Sequence, residues 1–168
     1  MNKACLVTGA AGFIGSHLVD RLLQLNYHVI GIDNLSLGKK ENLTLALSHP
    51  NFTFYQQDLN DTETCLELLS KYKMSWETVW HLAANSDIQA GVKNPDIDLN
   101  ATFLTTYNAT KIAKQLQISN FAFASTSTIY GQLPEPLKED HGPLFPISSY
   151  GAMKLASRAL ISVGLKAI

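Results

Sequence analysis

Thr8-Gly9-Ala10-Ala11-Gly12-Phe13-Ile14-Gly15 follows an apolar run, Lys3 to Thr8, and precedes a stretch in which Phe13, Ile14, His17, Leu18, Leu22 and Leu25 recur at helical spacing. The order reads as strand, turn and helix. Each glycine has its own duty. Gly9 turns the chain sharply off the strand, Gly12 lets backbone N–H groups approach a pyrophosphate, and Gly15 lets helix and strand pack closely. Phosphates at such a turn lie on the positive end of the helix dipole. The octet therefore predicts a dinucleotide-binding turn.

A glycine triplet alone is a weak signal, and its context gives it weight. A second strand runs from His28 to Ile32 and ends at Asp33. An acid about 20 residues beyond the glycines can accept hydrogen bonds from both ribose hydroxyls of an adenosine and would repel a 2′-phosphate. The expected cofactor is NAD rather than NADP.

The 168 residues, 46% of them hydrophobic, with a formal net charge of −1, suit a single α/β domain over 1–168 that buries a real core. Acidic and basic residues are scattered, so neither nucleic acid nor an anionic membrane is expected as partner. No apolar stretch is long enough to span a bilayer, and the amino terminus enters a strand with no space for a signal peptide, which makes the cytoplasm the expected location. Cys5 and Cys65 read as buried small hydrophobes rather than a disulfide or metal pair, and no metal is expected. Six Asn-x-Ser/Thr triplets, at Asn34, Asn42, Asn51, Asn60, Asn100 and Asn108, are read as coincidence in a chain with no signal sequence.

Further along, strands and helices alternate. A short helix is expected around Lys40 to Leu47, a strand at Phe52 to Gln56, a helix near Thr62 to Tyr72 and a strand at Thr78 to Leu82. A long helix from about Asp96 to Leu116 carries Ile97, Phe103, Leu104, Tyr107, Ile112 and Leu116 on its apolar side and leads to a fifth strand, Phe121 to Ser125. Gly131 to Ser149 reads as a loop. This rhythm predicts a Rossmann-like, doubly wound parallel sheet with helices on both faces.

Ligands of such sheets bind beyond the carboxyl ends of the strands. Asp58 and Leu59 follow the third strand, and Leu82, Ala83 and Ala84 follow the fourth, where small residues let backbone run close under a flat cofactor. His81 is expected to be a packed, hydrogen-bonded strand end rather than a catalyst. Ser125 to Thr128 form a hydroxyl cluster that is either part of the site or mere capping. Tyr150 and Lys154, four apart, share one helix face. A free tyrosine, with a pKa of about 10, is a poor base at neutral pH, but an adjacent ammonium together with an oxidised nicotinamide favours the phenolate. Tyr150 is thus the candidate general base.

These motifs, with Asp33-Asn34-Leu35, Asp58-Leu59, His81-Leu82-Ala83-Ala84, Asn100, Ser125-Thr126 and Ile129-Tyr130-Gly131, resemble the extended short-chain dehydrogenase/reductases, specifically the NAD-dependent nucleotide-sugar epimerase/dehydratase family. The resemblance runs from Lys3 to about Ser162. It implies that Tyr150 is the catalytic base, that Lys154 holds the nicotinamide ribose, that Thr126 bonds the reacting sugar oxygen, and that Asn100 supports the active-site hydrogen bonds. It implies a nucleotide-sugar substrate, most similar to a UDP-hexose undergoing transient oxidation and hydride return, and a homodimer through the 96–116 helix and the helix after Tyr150.

Dehydratases of that family carry an Asp-Glu pair after the catalytic Thr, where this chain has Ser127 and Thr128. Two neutral hydroxyls are poor substitutes for the acid and base that eliminating water requires, so epimerase outranks dehydratase. The resemblance also sets decarboxylases behind, since those of the family tend to carry Glu where Thr128 stands. Family members continue for well over a hundred residues to a substrate lobe, whereas this sequence ends at Ile168. Gly164 to Ile168 resembles the lead-in to a sixth strand, arriving early. The expectation is therefore a cofactor domain lacking the substrate lobe. It is either part of an epimerase, an NAD-binding remnant without turnover, or a partner of a longer relative.

Overall fold

The computed structural model describes residues 3–133 and 136–164. Five parallel strands, β1 (Lys3–Thr8), β2 (His28–Asp33), β3 (Phe52–Gln56), β4 (Ser75–His81) and β5 (Asn120–Phe123), form one sheet in the order β3-β2-β1-β4-β5. The chain winds outward one way from β1 and then returns to β1's other side, so the strand order reverses between β1 and β4. A crevice opens at such a reversal.

Side chains alternate across the sheet and build two cores. Leu6, Ile30, Ile32, Val79 and Phe121 face α2 (Thr62–Leu69), α5 (Thr105–Gln115) and α6 (Ser149–Gly164), meeting Cys65, Leu69, Ile112 and Ile161. Cys5, Val7, Val29 and Phe52 face the other way, onto Val19, Leu22 and Leu23 of α1 (Phe13–Gln24) and onto Leu43 and Ala46. Both faces of every inner strand are covered, which is why β1 and β2 read as almost unbroken apolar runs. The cysteines lie in different cores and are unpaired.

Three expectations need correction. The segment 40–47 is not one helix but two 3₁₀ turns, Lys40–Leu43 and Ala46–Ser48. The buried face of α1 is Gly15, Ser16, Val19, Leu22 and Leu23, while Phe13 and Ile14 are 79% and 65% exposed and His17 and Leu25 also face outward. Gly15 dictates this rotation, because a Cβ there would overlap the Gly9 carbonyl, so only this position can press against the turn.

The long helix keeps Ile112 and Leu116 against the core as expected, but over the rest of its length it buries another face. It is α4 (Pro95–Asp98), a π-helical segment (Leu99–Leu104) and α5 in succession, with Asp98, Thr102, Thr105, Thr106, Ala109, Thr110, Ile112 and Ala113 inside. The wider π turns shift the phase of the stripe. The threonines tolerate burial because their hydroxyls bond back to the helix: Thr105 and Thr106 donate to Ala101 and Thr102 carbonyls at 3.0 and 2.7 Å, and Thr110 to Tyr107 at 2.7 Å. A short helix, α3 (Ile88–Lys93), was not expected; the Asp87 carboxylate caps it through the Ala90 N–H. No helix among the described residues is long and apolar enough to cross a membrane. The stretch Gly164 to Ile168, read as a strand lead-in, lies outside the described residues beyond Gly164.

Candidate functional site

A cleft of about 1170 Å³ opens over the carboxyl ends of the strands. At its floor the β1 and β4 ends touch. Gly9 has φ +70°, and a Cβ on it would sit 2.7 Å from the Ala83 nitrogen. The Gly12 N–H closes the turn onto the Gly9 carbonyl at 3.1 Å, and Gly12 starts α1 with no side chain capping it. The first N–H groups of a twelve-residue helix are thus left for a ligand at the mouth of the cleft, an arrangement suited to a pyrophosphate. The residues present fit a dinucleotide.

Asp33 lies at the second strand's end. One carboxylate oxygen accepts the Ala11 N–H at 3.0 Å and the other the Leu35 N–H at 2.8 Å, and Gly38 packs directly against the carboxylate. Each oxygen keeps a further lone pair, enough for a pair of vicinal hydroxyls. Beside it the Asn34 amide donates to Asp58 at 2.9 Å, and Leu59 turns into the core. Leu82, Ala83 and Ala84 line the middle of the cleft, and Tyr150 and Lys154 its far end, with Asn100 on the rim. The glycine turn with Phe13 and Ile14, Asp33, Asn34, Asp58 and Leu59 complete the same wall. One cleft thus gathers all the expected cofactor-binding residues.

Lys154 is buried. Its ammonium donates to the Ala124 carbonyl at 2.8 Å and lies 4.6 Å from the Phe123 ring centroid and 5.7 Å from that of Tyr150. Burial pushes its pKa down to about 8. In the protein alone, burial and then the charge of Asp98 raise the pKa of Tyr150. The ammonium is held by the Ala124 carbonyl and stands over the ring face of Tyr150.

Thr126 was expected at the reacting oxygen. Its neighbours Ala124 and Ser125 line the cleft, while the Thr126 hydroxyl accepts the Thr128 N–H at 3.2 Å and caps the 3₁₀ turn Ser127–Tyr130. Capping, the alternative raised by the sequence, is the contact this structure displays. Asn100 does not join the interior hydrogen bonds; its exposed amide donates to the Asp96 carbonyl at 2.7 Å. The interior position on that helix belongs to Thr102, whose hydroxyl accepts the Asn85 N–H at 3.1 Å.

His81 is the packed strand end it was read to be. The Thr106 hydroxyl donates to Thr102, so its oxygen accepts from His81 Nε2 at 3.0 Å, leaving Nδ1 to accept the Thr8 hydroxyl at 2.7 Å. Burial, with Lys154 nearby, lowers its pKa to about 3. Asn85 was missed by the sequence reading: its buried amide donates to Asp98 and to the Asp87 carbonyl, both at 2.8 Å. The only signal was its place directly after Ala83-Ala84.

A family model described as GDP-mannose 4,6 dehydratase matches residues 6–163. The UDP-glucose 4-epimerase of Mycolicibacterium smegmatis is 36% identical over 160 residues, covering 94% of this chain and 50% of that protein. The UDP-glucuronate 4-epimerase of Thermodesulfobacterium geofontis is 32% identical over 160 residues, 92% of this chain and 49% of the relative. Among solved structures, UDP-glucose 4-epimerase from Thermus thermophilus in complex with NAD superposes with TM-score 0.85 at 34% identity, covering 98% of this chain and 53% of that one. The UDP-Glc/GlcNAc 4-epimerase of Campylobacter jejuni superposes with TM-score 0.88 at 29% identity, covering 97% and 49%. The chain spans about half the length of the relatives it matches.

Proposed function

This chain belongs to the extended short-chain dehydrogenase/reductase family of nucleotide-sugar epimerases and dehydratases, and from that premise we propose that it forms the NAD-binding, proton-handling half of a UDP-hexose 4-epimerase. One observation carries the reading: α6 brings Tyr150 and Lys154 to the same cleft that the glycine turn and Asp33 line at its other end. Bound NAD would take up and give back the hydrogen of the reacting sugar carbon. Asp33 would accept the two adenosine ribose hydroxyls and turn away a 2′-phosphate. Lys154, with one N–H spent on Ala124, keeps two for the nicotinamide ribose.

Tyr150 would hold the proton that leaves and returns to the sugar oxygen. Because its pKa is raised in the protein alone, it needs the cationic nicotinamide to act as a base near neutral pH. Thr126 would reach the sugar oxygen by giving up its cap on the Thr128 N–H. Ser127 and Thr128 offer no acid for eliminating water, which favours epimerisation over the dehydration named by the family model. A second copy packing on the 96–116 helix and on α6, where Leu99, Tyr107 and Val163 are exposed, is the dimer this reading carries.

The test is calorimetric titration with NAD and NADP, then proton NMR of UDP-glucose and UDP-galactose incubated with the NAD-loaded protein, with Tyr150→Phe as control. Tight NAD, weak NADP and Tyr150-dependent interconversion support the proposal. NAD binding without sugar conversion supports a cofactor-binding module instead, and no dinucleotide binding rejects both.

A further inference from the structure

Asp98 is fully buried at the end of α4, yet only one of its carboxylate oxygens is hydrogen-bonded, by the Asn85 amide at 2.8 Å. The other oxygen has no partner among the described residues. Burying a carboxylate with so few hydrogen bonds is costly, and a folded chain keeps such an arrangement where the charge has work to do. The fold makes room for it deliberately: the unpartnered oxygen occupies the space a Cβ on Gly91 would need. Asn85 and Ala90, the residues adjoining this contact, line the cleft, so the carboxylate stands one layer behind its wall.

The surroundings offer it little compensation. α4 packs against α3, the π segment and α6. Their ionisable groups are Lys93 and Arg158, both exposed, together with Tyr150 and Lys154; α4 itself adds the exposed Asp96. Of the cations only Lys154 is buried, and its ammonium is given to the Ala124 carbonyl rather than to Asp98. Among the described residues no carboxylate forms an ion pair with it. A buried anion beside a half-buried phenol attracts any positive charge brought to that end of the cleft.

We propose that Asp98 is a positioning residue whose buried carboxylate favours cationic over neutral ligands at the Tyr150 end of the cleft, and so selects oxidised over reduced nicotinamide. The inference rests on the NAD-binding reading above. Oxidised and reduced nicotinamide differ by one positive charge on a ring of nearly the same shape, so a structural perturbation weakens both while a charge effect separates them. The charge raising Tyr150 belongs to the same carboxylate. Asp98 thus holds the proton on Tyr150 until a cationic ring arrives to balance it.

The experiment compares NAD⁺ and NADH dissociation constants for the wild type and Asp98→Asn, with Asp98→Ser as the second variant should the first not fold. One unit charge at roughly 10 Å and an effective dielectric of about 20 changes the NAD⁺/NADH affinity ratio on the order of tenfold. The ratio is expected to fall by that factor in either variant, and an unchanged ratio overturns the proposal. Ultraviolet titration of the tyrosine component absent from Tyr150→Phe gives an independent readout. Its midpoint should move to lower pH in Asp98→Asn, and a midpoint that stays or rises overturns the electrostatic role. If wild-type protein binds neither dinucleotide, the reading under Proposed function fails, and with it the selection of nicotinamide, while the phenol titration still judges the charge at Asp98.

Discussion

The ammonium of Lys154 donates to the carbonyl oxygen of Ala124 at 2.8 Å, tying the inner face of α6 to the chain just beyond β5. Burial pushes this lysine from 10.5 down to about 8. The unfolded chain therefore binds more protons between about pH 8 and 10.5, and the contribution of this group to stability rises with pH across that window. Urea denaturation at about pH 7.5 and 9.5 should show wild type gaining roughly 1–2 kcal/mol relative to Lys154→Met. Equal gains in both proteins would mean the lysine is not buried as a cation.

His81 presents the same sign at lower pH. Its pKa falls from 6.5 to about 3, so stability from this group is full above the unfolded value and lost as pH drops from 6.5 toward 3. Between about pH 7 and 4.5, His81→Gln should lose less stability than wild type, by roughly 2 kcal/mol, in urea melts at the two pH values.

Asp33 engages backbone N–H groups with both oxygens and faces the cleft. Asp33→Asn removes the charge while keeping the shape. It should weaken NAD by about 1.5–3 kcal/mol, ten- to a hundredfold, with NADP losing less or gaining, as read by calorimetry.

Gly15→Ala places a methyl on the Gly9 carbonyl. The turn must move, which should lower stability by about 1–3 kcal/mol and weaken NAD binding further than the stability loss alone would at saturating folded protein. Thermal melts with and without NAD separate the two effects.

The glycine turn, β1, β2 and Asp33 were legible because their geometry is local: a positive φ, a missing Cβ and a strand end are all written within thirty residues. The buried side of the long helix was not. Hydropathy pointed to Phe103, Leu104 and Tyr107, while threonines that satisfy themselves against their own carbonyls took the interior. Phe13 and Ile14 misled for a related reason, since they are apolar in the service of the cleft and not of the core. Asn85, Asp98 and Thr102 come together only through tertiary contact between the β4 end and the α4 turn, across a separation no periodicity reports.

The two cysteines sit on opposite sides of the sheet, Cys5 against α1 and Cys65 against the layer of α2, α5 and α6. Burial raises both thiols to about 11, so each is silent while its own layer is closed. The molecule thereby carries one native chemical reporter per layer. The pace at which each sulfur meets a disulfide reagent would time the breathing of the α1 side and of the α2, α5 and α6 side separately, with no label added.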